Sequence, residues 1–577
     1  RFAPSPTGAL HLGGFRTALL CSLATLKATS TTSARSPSFL LRIEDTDTAR
    51  CTVTLHQQLL HTLRRITGVV PAWNTDQMNE NETGEQAGLV EGWRGTAPIV
   101  QSTRLGHYAD AAQALVQLGL AYTCTCDADL AALSDSLAPT RSPRLPRQAS
   151  TDSLSLALCR CSTRPPTPWS RPAIVRLSVR ACFDELEKYG KIRAVSIDPA
   201  VEGDRGTDEV DGESAEDAGS VWIERRAERG KAAERVLVCH DAVHGRLVVP
   251  ERAIDDTVLL KSTGYPTYHL ASVVDDRATD VSLVLRGDEW LSSLPKHLLL
   301  HALLPRESPS SSPPTVPRFA HVSLLLEEDG KRKLSKRRGG ELGGATVEGL
   351  LDRGYERIAL VNFVARLGWA IAGQEDDTIY SMSQLASKFC LADLRRSPAA
   401  VSWHRLDSLN RRVLRSYIPR ESLLARLRRD RPALADTPVA YQRAMLDHIA
   451  LERGTTWPEA LAVVDEYREP QDLALLDVER VQGSADVLQR LRDDLAALNL
   501  PGEPAALSDG DDGLTSVGSL LKGSLRGARG AHFRAARAAL CPGKPQGPDL
   551  LRLVQVFGLD ETLRRLDATL LQLRRSP

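Results

Sequence analysis

The sequence predicts an α/β domain at its amino end and a mostly helical region at its carboxyl end. Three features carry that prediction. A glycine-rich loop at residues 8–14 feeds a helix with an apolar face, and a short apolar strand ending in acidic residues follows. Strand and helix alternate again over residues 265–325. From about residue 350 onward, Leu, Ala and Arg recur at helical spacing and no convincing strand remains.

Taken in order, residues 15–28 read as a helix, with Phe15, Leu19, Leu23 and Leu26 on one face at spacings of three and four. Residues 38–43 (SFLLRI) form an apolar run suited to a buried strand, and they end in Glu44-Asp45-Thr46-Asp47. Ligands of open α/β sheets sit at the carboxyl ends of strands, and Glu44 occupies such an end. Residues 104–264 are less regular. Within them, residues 139–146 are a loop of Pro, Ser and Arg, and residues 202–220 an acidic, solvated insertion. Residues 281–285 are the clearest later strand, and residues 308–314 (SPSSSPP) a low-complexity loop. Helical runs stand out at residues 421–429 and 549–571.

With 577 residues, 42% hydrophobic and 25% charged, the chain has the composition of a globular protein of several domains. Lys+Arg and Asp+Glu are equal at 73 each, so no overall polyanion-binding signature exists, although a basic face balanced elsewhere is compatible with that total. No run of 18 apolar residues predicts a transmembrane helix. The chain begins at Arg1 inside what reads as a strand, so an upstream segment is expected. Ten cysteines in so long a chain read as intracellular thiols rather than a disulfide framework. Cys124/Cys126 and Cys159/Cys161 form two close pairs. Four thiolates make a normal structural zinc set, and four unligated thiols are the alternative.

Two loops carry the chemistry. The first is His11-Leu12-Gly13-Gly14, where a glycine turn at a helix N-terminus offers backbone N–H groups to a phosphate and His11 can donate to the same oxygens. The second is Lys333-Leu334-Ser335-Lys336-Arg337, whose lysines can meet charge that develops during phosphoryl chemistry. Alone, the first could be a tight surface loop and the second a basic one. In this order they resemble the way one large family of enzymes holds ATP for attack at its α-phosphate.

The blocks around these loops resemble the glutamyl-tRNA synthetases of bacterial type, class I aminoacyl-tRNA synthetases. The resemblance rests on APSPTGALHLGGFRTALL (residues 3–20), LLRIEDTDTAR (40–50), LLKSTGYPTYHLASVVDD (259–276), LRGDEWLSSLPKH (285–297), FAHVSLLLEEDGKRKLSKR (319–337), RGYERIALVNFVARLGW (353–369) and WHRLDSLNRRVL (403–414). It is dense over residues 1–50 and 255–415 and thin elsewhere. It implies a Rossmann-type catalytic domain in halves 1–103 and 265–325. An inserted acceptor-binding domain would fill 104–264, a stem-contact region with the KLSKR loop 326–405, and a helical anticodon-binding region 406–577.

The resemblance also implies roles. Arg1, Ser5, Glu44, Tyr268, Ser272 and Arg286 would bind glutamate, the two arginines taking carboxylates and Glu44 the α-ammonium. Which arginine takes which carboxylate is open. Ser272 stands where the family has Asn, a shorter side chain that a water could extend. His11, Gly13, Glu289, Trp290, Leu325, Leu326 and Lys336 would bind ATP, with His11, Lys333 and Lys336 acting in catalysis. The second histidine of the usual family loop is Gly14 here. ATP with Mg²⁺, glutamate and tRNA(Glu) would be the ligands, zinc a further one, and the protein a monomer. The low-complexity segments suggest a mitochondrial matrix enzyme, with a bacterial cytoplasm as the alternative. A glutaminyl-type synthetase and an inactive tRNA-binding paralogue are the rival functions.

Overall fold

The computed structural model describes residues 1–31, 39–47, 50–67, 99–124, 174–194, 220–226, 233–305, 315–334, 346–371, 378–468, 484–498, 512–524, 531–542 and 549–575, with residues 201, 476, 481 and 500. By internal contacts the chain forms two compact units, Arg1–Gly349 with Val364–Ser402, and Leu350–Phe363 with Trp403–Pro577. None of the helices among the described residues is long and apolar enough to cross a membrane.

The strands of the first unit are β1 (Arg42–Ile43), β2 (Ile99–Val100), β3 (Ala121–Cys124), β4 (Ile174–Leu177), β5 (Trp222–Arg226), β6 (Glu234–Asp241), β7 (Gly245–Pro250), β8 (Val258–Leu260), β9 (Leu283–Gly287), β10 (Arg318–Val322), β11 (Leu325–Leu326) and β12 (Ala399–Ala400). Its principal helices are α1 (Leu12–Thr31), α2 (Val53–Thr67), α3 (Leu105–Gln117), α4 (Val179–Tyr189), α5 (Tyr268–Ala278) and α6 (Leu294–Leu303).

The opening residues are the centre of a parallel arrangement. Phe2 bridges Leu41 in parallel, and β1 pairs in parallel with β2. On the other side the main-chain nitrogen of Arg1 donates to Leu283 O at 3.0 Å, and β9 pairs in parallel with β10. The resulting order is β2, β1, the opening segment, β9, β10, so the chain reverses direction of progress beside the opening segment. That reversal is the switch point at which doubly wound sheets bind ligands, as in Rossmann-type folds. Helix α1 begins at Leu12, three residues before the start predicted from its apolar face, and its Leu12, Phe15, Leu19 and Leu23 are fully buried.

Strand β9 starts two residues later than the predicted 281–285. Asp280 takes φ 49°, and Val281 N donates to Asp276 O at 2.9 Å. Val281 therefore closes the end of α5 in the manner of a helix C-cap, and the strand begins only after it.

The stretch that reads as irregular holds two antiparallel sheets, β3-β4-β8 and β5-β6-β7. Their signal is weak because β3, β4 and β8 are only three or four residues long, and β6 buries a continuous run from Val236 to Cys239 instead of alternating. Helix α3 joins the same core: Tyr108, Ala112 and Leu115 pack with Leu270, Val273 and Leu298 of α5 and α6. Beyond residue 350, the two-residue strand β12 pairs with β11, an exception to the strand-free reading. The predicted loops at 139–146 and 308–314 lie outside the described residues, as does the predicted insertion 202–220 except for Ser220, which is buried.

The second unit is helical. Arg420–Asp430, Val439–Met445, Trp457–Arg468, Ala485–Ala497 and Leu550–Arg575 enclose a core that includes Leu423, Leu427, Leu446, Val464, Leu491 and Leu566. The last helix kinks at Gly558, φ 75°. In the first segment of this unit, Leu350–Phe363, Gly354 adopts φ +85°, and an added Cβ would lie 2.2 Å from Pro458 Cδ. Gly354→Val is therefore expected to cost this unit about 2–4 kcal/mol through strain and overpacking. Thermal unfolding of the variant checks this; an unchanged melting temperature would refute it.

Candidate active site

The His11 loop is anchored on both sides by buried Leu10 and Leu12. His11 Nδ1 accepts from Gly13 N at 3.2 Å, so the neutral ring carries its proton on Nε2. Thr346 bridges His11, and Val347 N donates to Leu10 O at 2.9 Å. Downstream of β10, Leu325 and Leu326 form β11, with Leu334 N bonded to Leu325 O and Lys333 bridging Leu326. Leu334 thus lies against β11 and Thr346 against the His11 loop, at the two ends of the segment 335–345. Lys336 lies in it, outside the described residues. Lys333 Nζ is 3.7 Å from Glu289 Oε1, an exposed pair. Buried Arg16 of α1 ties these elements together, donating to Ser323 O and to Leu367 O.

At the strand ends lies a buried charge cluster. Arg1 Nε donates to Asp276 Oδ1 at 2.9 Å and Arg1 Nη2 to Ser272 Oγ at 3.0 Å. Arg42 is fully buried. Its Nη1 donates to Asp276 Oδ1 at 2.5 Å, and its Nη2 to Ser272 Oγ at 2.8 Å and Glu44 Oε1 at 3.0 Å. Ser272 thus reaches both arginines directly. Asp275 accepts from Arg104 Nε at 2.8 Å, Gln101 Nε2 at 2.9 Å and the Tyr108 hydroxyl at 3.0 Å. Burial pushes the Glu44 carboxyl up against the pull of Arg42. Ser5 is exposed one residue past Pro4, whose carbonyl accepts from Glu44 N at 3.1 Å, so Ser5 and Glu44 share this rim.

Arg286, near the end of β9, differs. Its Nε donates to His321 Nε2 at 2.9 Å, and its Nη1 donates to the Tyr268 hydroxyl at 2.9 Å and to His297 Nδ1 at 3.0 Å. Its Nη2 donates to Trp290 O at 3.2 Å. An arginine is only a donor, so both facing ring nitrogens are acceptors and both histidines are neutral. Burial accordingly holds His297 well below its usual range, and His321 below it as well. Among the described residues no carboxylate lies within ion-pair distance of Arg286, and burial lowers its guanidinium pKa. Arg1, Arg42 and Arg104 face Glu44, Asp275 and Asp276, three cations to three anions. Arg286 stands beside them without such a partner among the described residues. Tyr268 packs on Trp290 with ring centroids 4.2 Å apart, and Trp290 is 39% exposed.

The structure thus brings Arg1, Glu44 and Ser272 into one cluster and Tyr268, Arg286 and Trp290 into its neighbour. Sequence reasoning missed Arg42, Asp275, Asp276, His297 and His321, although all lie inside the motif blocks. The pair Asp275-Asp276 directly after the apolar Val273-Val274 was the available signal. Cys124 is buried in β3 beside Tyr122, while Cys126, Cys159 and Cys161 lie outside the described residues. No metal-holding group of three or more His, Cys, Asp or Glu occurs among the described residues.

Comparison with known proteins bears on the same blocks. The chain matches the family described as tRNA synthetases class I (E and Q), catalytic domain, over residues 1–180 and 216–408. It is 27% identical to the glutamate–tRNA ligase of Chlorobium luteolum and 28% identical to that of Chlorobium phaeobacteroides, each over 98% of this chain and 96% of the relative. The crystal structure of a glutamate tRNA ligase from Elizabethkingia meningosepticum in complex with its amino acid has the same fold, with a TM-score of 0.64, 23% identity and 99% of each chain covered. With a parallel sheet in switch-point order, both loops in sequence order and a family match over well more than half its length, the chain belongs to the class I tRNA synthetases of the E and Q type.

Proposed function

We propose that this protein is a glutamate–tRNA ligase. The observation that carries the reading is Arg286, a buried cation without a carboxylate partner among the described residues, beside a balanced cluster at the switch point. Such a cation attracts a substrate carboxylate, and glutamate offers two where glutamine offers one. The near full-length similarity to proteins named glutamate–tRNA ligase supports the same choice over the glutaminyl reading.

In this reading Arg1 and Arg286 bind the two carboxylates of glutamate, Glu44 its α-ammonium, and Ser5, Tyr268 and Ser272 complete the pocket. His11, Gly13, Glu289, Trp290, Leu325, Leu326 and Lys336 hold ATP. An α-carboxylate oxygen attacks the α-phosphorus and pyrophosphate leaves, giving glutamyl-adenylate. The 2′-hydroxyl of the terminal ribose of tRNA(Glu) then attacks the acyl carbon, releasing AMP and one proton. No protein nucleophile takes part. The chain contributes placement and charge: His11 donates from Nε2 and Lys333 and Lys336 meet the charge growing on the phosphates. Mg²⁺ would accompany the triphosphate and offset its charge.

The division into catalytic halves 1–103 and 265–325, an acceptor-binding insertion 104–264, a stem-contact region 326–405 and an anticodon-binding region 406–577 is part of this proposal. The Arg-bearing helices of the last region support it. So are a monomeric state, zinc on Cys124, Cys126, Cys159 and Cys161, and action in a bacterial-type translation system, whether of mitochondrion or bacterium; the relatives named above are bacterial.

The test is aminoacylation with labelled glutamate and glutamine on purified tRNA(Glu) and tRNA(Gln), alongside Lys336→Ala. Glutamate on tRNA(Glu), with kcat about 100-fold lower in the variant, is expected. Metal analysis of the same preparation reads the zinc. Charging with glutamine instead would establish the glutaminyl reading, and tRNA binding without charging would overturn the enzyme.

A further inference from the structure

We propose that Asp241 and His321 are positioning residues for Arg286, fixing the direction of its guanidinium fork while leaving its charge to be met by the substrate carboxylate. The proposal rests on the glutamate–tRNA ligase reading for the identity of that substrate.

The geometry runs outward from Arg286. Its Nε–H points at His321 Nε2, 2.9 Å away, so the single proton of the neutral imidazole is on Nδ1. His321 Nδ1 lies 2.7 Å from Asp241 Oδ2 and donates to it. Both residues are buried, and the His321 ring stacks on Phe319 with 9° between planes. Asp241 is itself fixed by main-chain donors. Its Oδ1 accepts from Val243 N and His244 N, both at 2.9 Å, and its Oδ2 accepts from His321 N at 3.1 Å.

The order of groups matters chemically. A carboxylate in direct contact with Arg286 would orient the fork equally well but would satisfy its charge, leaving less attraction for a ligand carboxylate. An interposed neutral imidazole gives the orientation and withholds the neutralising anion. The Asp241 charge is absorbed by three backbone N–H groups and one imidazole N–H. Asp241 ends β6, in the antiparallel sheet, not in the parallel sheet that carries Arg286. The direction of the fork is therefore set from the segment inserted between the two halves of the parallel sheet.

Asn at position 241 exposes the mechanism. Two main-chain N–H groups at Oδ1 require an oxygen there, which turns the amide nitrogen toward His321 Nδ1. That nitrogen must then accept, so the imidazole proton moves to Nε2 and faces the Arg286 Nε–H. Two donors pointing at each other displace the fork.

The experiment compares Asp241→Asn, His321→Leu and His321→Gln in tRNA charging, with ¹⁵N spectra of histidine-labelled protein. The glutamine amide oxygen can stand where Nε2 stood. Asp241→Asn and His321→Leu are expected to raise KM for glutamate about 10–100-fold with KM for ATP and kcat nearly unchanged. His321→Gln should recover most of the loss, and His321 should read as the Nδ1–H tautomer in the wild type and Nε2–H in Asp241→Asn. Unchanged KM for glutamate would overturn the proposal. So would equal losses toward glutamate and ATP with no recovery in His321→Gln, which would make the pair merely structural. A wild type that shows the tautomer pattern but charges no tRNA with glutamate would sink the ligase reading while leaving the Arg286 support in place.

Discussion

Arg286→Met is expected to lower kcat/KM for glutamate about 1,000-fold while changing the stability of the fold little. Removing one partner of a buried, hydrogen-bonded charge pair costs roughly 2–5 kcal/mol of binding, and about 1.4 kcal/mol is a tenfold change. Arg286 donates to Tyr268, His297, His321 and Trp290 O, so its fork is aimed before any ligand arrives. The protein bears the desolvation of that cation with no carboxylate in ion-pair contact among the described residues. An apolar side chain of similar length relieves that cost, a gain that opposes the roughly 1–3 kcal/mol lost for each buried acceptor left without its donor. Arg286→Lys should recover little, because one ammonium cannot serve four fixed acceptors. Steady-state kinetics and thermal unfolding on the same samples decide it. A large fall in melting temperature with little change in KM for glutamate would show that Arg286 is structural.

Asp276→Asn should have the opposite signature, a loss of stability first. Asp276 meets Arg1 and Arg42 at once, and all three side chains are almost wholly buried. Without the anion two buried cations face each other, and breaking such a pair typically costs about 3–5 kcal/mol. Hydrogen exchange over Tyr268–Ala278 would report the local opening. Wild-type protection across this helix in the variant would contradict the prediction.

The same cluster sets acid lability. Burial would raise the Asp276 carboxyl, but Arg1 and Arg42 overcome it and hold the group well below its usual range. A depressed carboxylate stabilises the fold above its unfolded pKa, near 3.9, and that contribution disappears as pH falls toward the folded value. Burial also lowers His301 to about 3 and, with Lys296 adding to it, His269 to about 4. Their contribution is complete above about pH 6.5 and declines as pH falls through that value, because the unfolded chain takes up the protons. Glu44, raised by burial, works weakly the other way. The first unit should lose stability in two stages, from about pH 6.5 downward and again below about pH 4. Asp276→Asn should abolish only the second stage.

Local signals in the sequence were good guides where one residue's neighbours in the chain decide its place. Phe15, Leu19 and Leu23 mark the buried face of α1, and Glu44 is at a strand end because an apolar run stops before it. Strand β9 was misplaced by two residues because Val281 is used to close the preceding helix, a main-chain requirement that apolar character does not reveal. The antiparallel strands of the insertion were missed because three- and four-residue strands show no period and β6 is covered on both faces.

The sequence by itself determined the family, the order of the two loops and the residue types at the strand ends, because these are written in contiguous blocks. Only the tertiary structure decided which charges meet. Arg1 and Arg42 share Asp276 across more than 230 positions of chain, and Asp241 reaches Arg286 through His321 across 80 positions and then 35. A buried charge takes its energy from the few groups within hydrogen-bond distance. Those groups are brought there by sheet order and helix packing, which no local pattern encodes.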